Sequence, residues 1–254
     1  MWDPGQYGRY AEERSRPFYD LVARIGAESP RLVVDLGCGP GPLTASLARR
    51  WPQATVVGLD SSPEMIAEAK AHAGGRLSFE LGDIAGWKPP QGTDVIVSNA
   101  ALQWVPGHPE LVDGWIAGLG TGGWLGFQVP GNFDSPSHTI LADLKESPRW
   151  SSLLKGGLGR RPVLDPEQYV ARYAAPDRSV DAWETTYVHV LQGKDPVLEW
   201  LKGSALRPYL AQLEGADREE FLGEFGRRLR EAYPAAGFGV ALPFRRVFVV
   251  VRKL

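Results

Sequence analysis

Residues 33–41 read Val33-Val34-Asp35-Leu36-Gly37-Cys38-Gly39-Pro40-Gly41, an apolar run that breaks into alternating glycines. The valines predict a buried parallel strand, and Pro42 with the residues after it predicts a helix. Glycines at 37, 39 and 41 allow backbone torsions closed to other residues and let the chain approach a ligand closely. In an open sheet such a turn lies at the carboxyl end of a strand, where ligands bind. A dinucleotide fingerprint would need a third glycine at position 42, where this chain has Pro42. Asp35 adds a carboxylate just before the turn; it would repel a pyrophosphate and attract the ammonium of an amino acid, directly or through water. The turn therefore suits a nucleoside joined to an amino acid better than one joined to phosphates.

Working outward, Leu32–Leu36, Thr55–Leu59, Leu77–Leu81, Asp94–Ser98 and Trp124–Val129 read as strands. Helical spacing separates them at Pro42–Trp51 and Glu110–Leu119. Ser61-Ser62-Pro63-Glu64 is a helix start signal for a helix running to about His72. Such alternation predicts βαβ units and a doubly wound, mostly parallel α/β sheet. Ala182–Leu191 and Pro243–Val251 bring the expected strands to seven. The stretch 130–180 shows only modest helical patterning, and 195–233 reads as two or three helices. One domain over 1–254 is expected, with an N-terminal segment 1–30 and a helical insert at about 192–240 capping the sheet.

The chain has 254 residues, a formal charge of -2 and no long run of one sign. A basic stripe that would neutralise nucleic-acid phosphates is absent from the sequence, so no nucleic-acid partner is expected. Cys38 is the only cysteine, which excludes an intramolecular disulfide and points to a reducing, cytoplasmic setting. No signal-peptide pattern opens the chain, and its longest apolar runs are about one strand long, so no membrane association is expected. Cys38 is expected to pack in the turn, since its neighbours offer no base that would make it a nucleophile.

Two further acids fall at strand ends. Asp60, closing Gly58-Leu59-Asp60, is placed to accept hydrogen bonds from both hydroxyls of a ribose. Asp83, in Gly82-Asp83-Ile84, is placed to accept an adenine amino proton. With the glycine turn, these elements resemble the class I S-adenosylmethionine-dependent methyltransferases, in order and in spacing, across about residues 31–130. The resemblance implies S-adenosylmethionine as cofactor. It implies that Gly37, Gly39 and Gly41 pass under its methionine part, that Asp60 with Ser61 holds the ribose, and that Asp83 with Ile84 holds the adenine. It also implies that the end of the fourth strand, Asn99-Ala100, lines the donor and acceptor. There Gln103 and Trp104 are candidates to orient a substrate oxygen and flank the sulfonium; the alternative for Trp104 is core packing.

Other segments narrow the resemblance to the trans-aconitate 2-methyltransferases. They are Trp2-Asp3-Pro4 with Tyr7, Glu13-Arg14-Ser15-Arg16-Pro17, the segment 60–69, Ala101–Trp104, Thr185–His189, Leu206–Leu210 and Leu242–Phe248. The glycine-rich stretch 151–159 departs from the family pattern. The resemblance implies esterification of one carboxylate of a small unsaturated tricarboxylic acid. A carboxylate is ionised at neutral pH, its pKa being about 4, so no general base is needed and no catalytic triad is sought. Alignment of oxygen, methyl carbon and sulfur is the task, and orientation can supply roughly 7–11 kcal/mol of the barrier.

The remaining carboxylates call for cationic and hydroxyl donors, arginine above all because its fork bonds a carboxylate twice. Arg16 and Arg207 are the arginine candidates, with Tyr187, His189 and Tyr209 as neutral helpers and Trp104 beside them. For Arg14, Arg245 and Arg246 a structural salt bridge or surface role is the favoured reading. His72, His108 and His138 read as ordinary exposed residues, and no metal site is expected. Three other readings stay open: a methyltransferase for another carboxylate or for an acyl-carrier-protein-bound diacid, a nucleoside-binding protein without catalysis, and a dehydrogenase. The oligomeric state is not specified, and a monomer is compatible.

Overall fold

The computed structural model describes residues 11–156, 163–203 and 205–254, and of 11–14 the backbone alone. Trp2, Asp3, Pro4 and Tyr7, the side chains of Glu13 and Arg14, and the 157–159 part of the glycine-rich stretch therefore lie outside the described residues.

After helix α1 (Ala11–Ala23), strands and helices alternate: β1 (Leu32–Leu36), α2 (Pro42–Arg50), β2 (Thr55–Asp60), α3 (Pro63–Ala69), β3 (Leu77–Leu81), β4 (Val95–Asn99), α4 (His108–Gly118) and β5 (Trp124–Pro130). There follow α5 (Pro136–Glu146), α6 (Pro166–Tyr173), β6 (Arg178–Leu191), α7 (Pro196–Lys202), α8 (Arg207–Leu210), α9 (Gly215–Ala232) and β7 (Val240–Lys253). The seven-stranded sheet has the order β3-β2-β1-β4-β5-β7-β6. The first five strands pair in parallel, and β7 runs antiparallel between β5 and β6. The mostly parallel, doubly wound α/β sheet expected from the sequence is thus observed. The order reverses between β1 and β4, which sets the ligand crevice at their carboxyl ends.

Several boundaries differ from expectation. β6 begins at Arg178 rather than Ala182, because the mostly polar stretch 178–181 is held by pairing with 250–253 of β7. Their own alternation is too weak to announce a strand. The segment 130–180 also holds two helices, each opened by a capping residue followed by proline: Ser135-Pro136 and Asp165-Pro166. At the second, Asp165 and Gln168 form a reciprocal capping box. The helix after Ser62 is α-helical only to Ala69, and Lys70–His72 is a single 3₁₀ turn.

Each sheet face carries its own core. On one, Phe18, Leu21 and Ile25 of the N-terminal region meet Val33, Val95, Val97, Phe248 and Val250. On the other, Trp115 and Ile116 of α4 and Tyr169 and Tyr173 of α6 meet Ile96, Phe127 and Val249. Here His108 and His138 depart from the exposed setting expected of them. His108 is buried, with Nε2 2.8 Å from the Tyr169 hydroxyl, and burial lowers its pKa to about 4. Ordinary exposure fails for it because α6 closes over α4. His138 is half-buried beside Phe133 and touches Ser135 and Ser137 through Nδ1. His72 is exposed.

A third cluster gathers α5, α7, α8 and α9 on the outer half of the β6–β7 hairpin, around Trp150, Trp200, Phe221, Phe225, Leu242 and Phe244. Arg149 ties it together by pairing with Asp217 and Glu220 of α9. Among the described residues no helix is long and apolar enough to cross a membrane.

Candidate active site

The glycine turn is locked to the end of β2 by backbone and side chain. Gly37 and Cys38 donate their N–H groups to the Leu59 carbonyl at 2.8 and 3.0 Å. Gly39 N–H donates to Asp60 Oδ2 at 2.9 Å, and Ser62 N–H to Asp60 Oδ1 at 2.9 Å. Gly37 has φ +81°, and a Cβ there would stand 2.3 Å from the Ala101 Cβ. Only glycine fits that contact, which seats the turn against the segment following β4.

Asp35 is 2% exposed, and Thr44 in the first turn of α2 donates to its Oδ2 at 2.6 Å. Loss of water is the main cause that pushes its pKa up to about 7. Its side chain is thus buried with Thr44 rather than set on an open wall. Cys38 is buried, and desolvation pushes its thiol up, which leaves a packing role.

Asp83 is exposed and caps a 3₁₀ turn, its Oδ1 accepting from Ala85 N–H at 2.9 Å. Ile84 is buried, and its Cδ1 would lie 3.5 Å from a Cβ on Gly37. The Asp83-Ile84 segment therefore flanks the glycine turn, as do Asp60 and exposed Ser61 at the end of β2.

Beyond β4 the backbone is strained. Ala100 has φ +54°, a conformation that costs an L-residue about 1–2 kcal/mol. Its N–H donates to the Gln128 carbonyl at 2.9 Å, and its carbonyl accepts from Gln103 Nε2 at 2.6 Å. Gln103 Oε1 and Asn99 Oδ1 are buried without a hydrogen-bond partner among the described residues. Trp104 is 45% exposed, so the core-packing alternative does not apply to it.

Among the residues the sequence offers for an acceptor, Tyr187 donates its hydroxyl to Asp20 Oδ2 at 2.6 Å. The Arg16 guanidinium sits 5.1 Å from the Tyr187 ring centre and 4.0 Å from Asp20. Of the two roles expected for Arg246, a surface one does not hold: it is buried, with its guanidinium over Phe244 and Nη1 3.5 Å from Gln128 Oε1. The hairpin register carries it inward. Arg245, its neighbour on the opposite face, pairs with Asp165 and Glu184, the structural role expected of it. His189 stacks on Trp200, and Tyr209 belongs to the same helical cluster. Arg207 on α8 is partly buried, which lowers its pKa, while Glu64 at the start of α3 opposes that shift. The structure thus groups Arg16, Tyr187 and Arg246 on one sheet face; His189 of β6 lies on that same face, stacked on Trp200 of α7, and Tyr209 of α8 belongs to that helical cluster. Gln128 was missed by sequence reasoning, although a polar residue inside Trp124-Leu125-Gly126-Phe127-Gln128-Val129 is a legible signal.

A family described as "Methyltransferase domain" matches residues 33–123. A trans-aconitate 2-methyltransferase of Streptomyces avermitilis is 51% identical, over 99% of this chain and 97% of its own length. One from Rhodococcus jostii is 49% identical over 99% of each chain. The chain belongs to the trans-aconitate methyltransferase family. It is a class I S-adenosylmethionine-dependent methyltransferase. The fold agrees with solved structures: the plantazolicin methyltransferase in complex with SAH superposes with a TM-score of 0.55 at 16% identity, covering 99% of this chain and 91% of that one. The YcgJ protein of Bacillus subtilis gives 0.57 at 14% identity, covering 94% and 98%.

Proposed function

We propose that this methyltransferase esterifies one carboxylate of a small tricarboxylic acid, trans-aconitate in the first place, giving the monomethyl ester. The observation that supports this most is the 51% identity running over nearly the whole of both chains, acceptor side included. S-Adenosylmethionine supplies an electrophilic methyl group on a sulfonium. The residues present fit it: the open space above Gly39, where a Cβ would meet nothing within 4 Å, and the buried acceptors Asn99 Oδ1 and Gln103 Oε1, suit an amino-acid nucleoside rich in N–H and O–H donors.

In this reading Gly37, Gly39 and Gly41 run under the methionine part, Asp60 and Ser61 take the ribose, and Asp83 with Ile84 takes the adenine. Asp35 acts from behind the turn by setting its charge. Asn99 and Ala100 border the reacting end, where Gln103 holds the strained backbone and Trp104 excludes water. Arg16 and Arg207 bind the acceptor's carboxylates, Tyr187 lines the same site with its ring under the Arg16 guanidinium and its hydroxyl held by Asp20, and His189 and Tyr209 shape the wall beside them, all within one domain of a cytoplasmic enzyme. The attacking oxygen is already anionic, so the protein aligns and desolvates rather than removes a proton.

The test is methyl transfer from labelled S-adenosylmethionine to trans-aconitate, cis-aconitate, itaconate and an acyl-carrier-protein diacid. Ester formation fastest on trans-aconitate is expected. Donor binding without labelling of any acid would overturn the reading.

A further inference from the structure

We infer that Gln128 anchors an acceptor carboxylate, with the Arg246 guanidinium beside it, and so sets which acids the enzyme accepts. This rests on the carboxylate-methylating reading above. Gln128 is 0% exposed on an otherwise apolar strand, and its Nε2 has no hydrogen-bond partner among the described residues. A buried donor left unpaired is costly, so such a group marks either strain or a place kept for a guest. Its orientation is set: Oε1 faces Arg246 Nη1 at 3.5 Å, and turning the amide over would point its N–H groups at a guanidinium. The open valence is therefore a donor.

Register places that donor. Gln128 pairs with half-buried Asn99 on β4 and with Phe248 on β7, and Arg246 stands two residues from Phe248 on the same face. Phe248 shares its core with Tyr187, whose electrostatic surroundings include both Arg16 and Arg246. Hydrogen-bonding polarity is thus divided across the neighbouring strands β4, β5 and β7. The β4 side offers acceptors, Asn99 Oδ1 and Gln103 Oε1; the β5–β7 side offers a donor, Gln128 Nε2, and a cation, Arg246. An amide N–H beside a guanidinium fits a carboxylate oxygen and disfavours an amine or a cation. An acid with a second carboxylate, apart from the one methylated, would be held there while the other faces the donor.

The test compares wild type with Gln128→Leu, which deletes the donor at similar volume, and Gln128→Glu, which can pair with Arg246 while repelling an anion. Initial rates are measured against trans-aconitate and against crotonate, which has one carboxylate; S-adenosylhomocysteine affinity is measured by calorimetry. Expected is a rise of about ten- to hundredfold in the trans-aconitate KM for both variants, the range for a hydrogen bond to a charged group. kcat and S-adenosylhomocysteine affinity should stay within about threefold, and the penalty should vanish for crotonate used as substrate or competitor. An unchanged trans-aconitate KM in either folded variant, an equal penalty for crotonate, or a matching loss of S-adenosylhomocysteine affinity would overturn the anchor. Failure of wild type to methylate any acid instead overturns the functional reading; trans-aconitate binding by calorimetry then decides the anchor alone, supporting it if Gln128→Leu abolishes the binding and refuting it otherwise.

Discussion

The carboxylate of Asp60 accepts the N–H of Gly39, its Oδ2 lying 2.9 Å from that nitrogen, so the end of β2 clamps the glycine turn that follows β1. The other oxygen accepts from Ser62. A carboxylate offers about four acceptor sites, and two backbone donors leave room for hydroxyls. The proposed ribose contact and the shape of the turn therefore depend on one side chain.

Asp60→Ala should accordingly lower both stability and donor affinity. Loss of two backbone hydrogen bonds at a partly buried site is expected to cost about 1–3 kcal/mol in stability. S-Adenosylhomocysteine affinity should fall at least tenfold, while Asp60→Asn, which keeps one acceptor oxygen, should fall between. Chemical denaturation and calorimetry on the three proteins check this; undiminished affinity in Asp60→Ala would remove Asp60 from the ribose site.

Two glycines of the turn should respond differently to alanine. Gly39 has φ +56° and open space around a new Cβ, so Gly39→Ala should cost about 1–2 kcal/mol of torsional strain. Gly37→Ala adds a collision, 2.3 Å from the Ala101 Cβ, and should cost clearly more. The double variant Gly37→Ala/Ala101→Gly should recover the steric share and leave the torsional one. Melting temperatures of the three variants provide the comparison.

Buried His108 should make the fold acid-sensitive. Its pKa is about 4 in the folded chain, held down chiefly by desolvation, against about 6.5 unfolded. Between those values the unfolded state binds more protons, so stability falls as pH drops from about 6.5 toward 4, by up to about 3 kcal/mol. His108→Gln, which can still meet the Tyr169 hydroxyl, should flatten that slope. A denaturation series across pH measures it.

Asp35 works in the opposite sense. Its pKa is raised to about 7 by desolvation, from about 3.9 in an unfolded chain. The folded state therefore holds the extra proton between about pH 4 and 7, and stability linked to Asp35 declines as pH rises through that window. Asp35→Asn should remove this decline and match or exceed wild-type stability above pH 7. If a cationic donor settles nearby, it favours the ionised form, so S-adenosylmethionine affinity in wild type should rise with pH up to about 7 and the variant should lose that dependence.

Much of the cofactor side was legible because its elements lie close together in sequence. Thr55–Leu59 and Leu77–Leu81 announce themselves by apolar pattern, and Ser62 before Pro63 by capping chemistry. The proposed acceptor side was less legible. Arg245 and Arg246 are neighbours and look alike in the sequence, yet one pairs with Asp165 and Glu184 while the other turns inward over Phe244. His108 reads as an ordinary exposed residue until Tyr169 covers it.

From the sequence alone came the alternating strands and helices, the glycine turn and its acidic companions, because periodicity and backbone torsion depend on residues a few positions apart. Only the folded chain decided which polar groups meet. Tyr187 finds Asp20 from 167 positions away, and Gln128 finds Arg246 from 118. Those meetings are set by the register of the β6–β7 hairpin against β5 and by how α1 packs on that face; a shift of one residue in a strand turns every side chain to the other side.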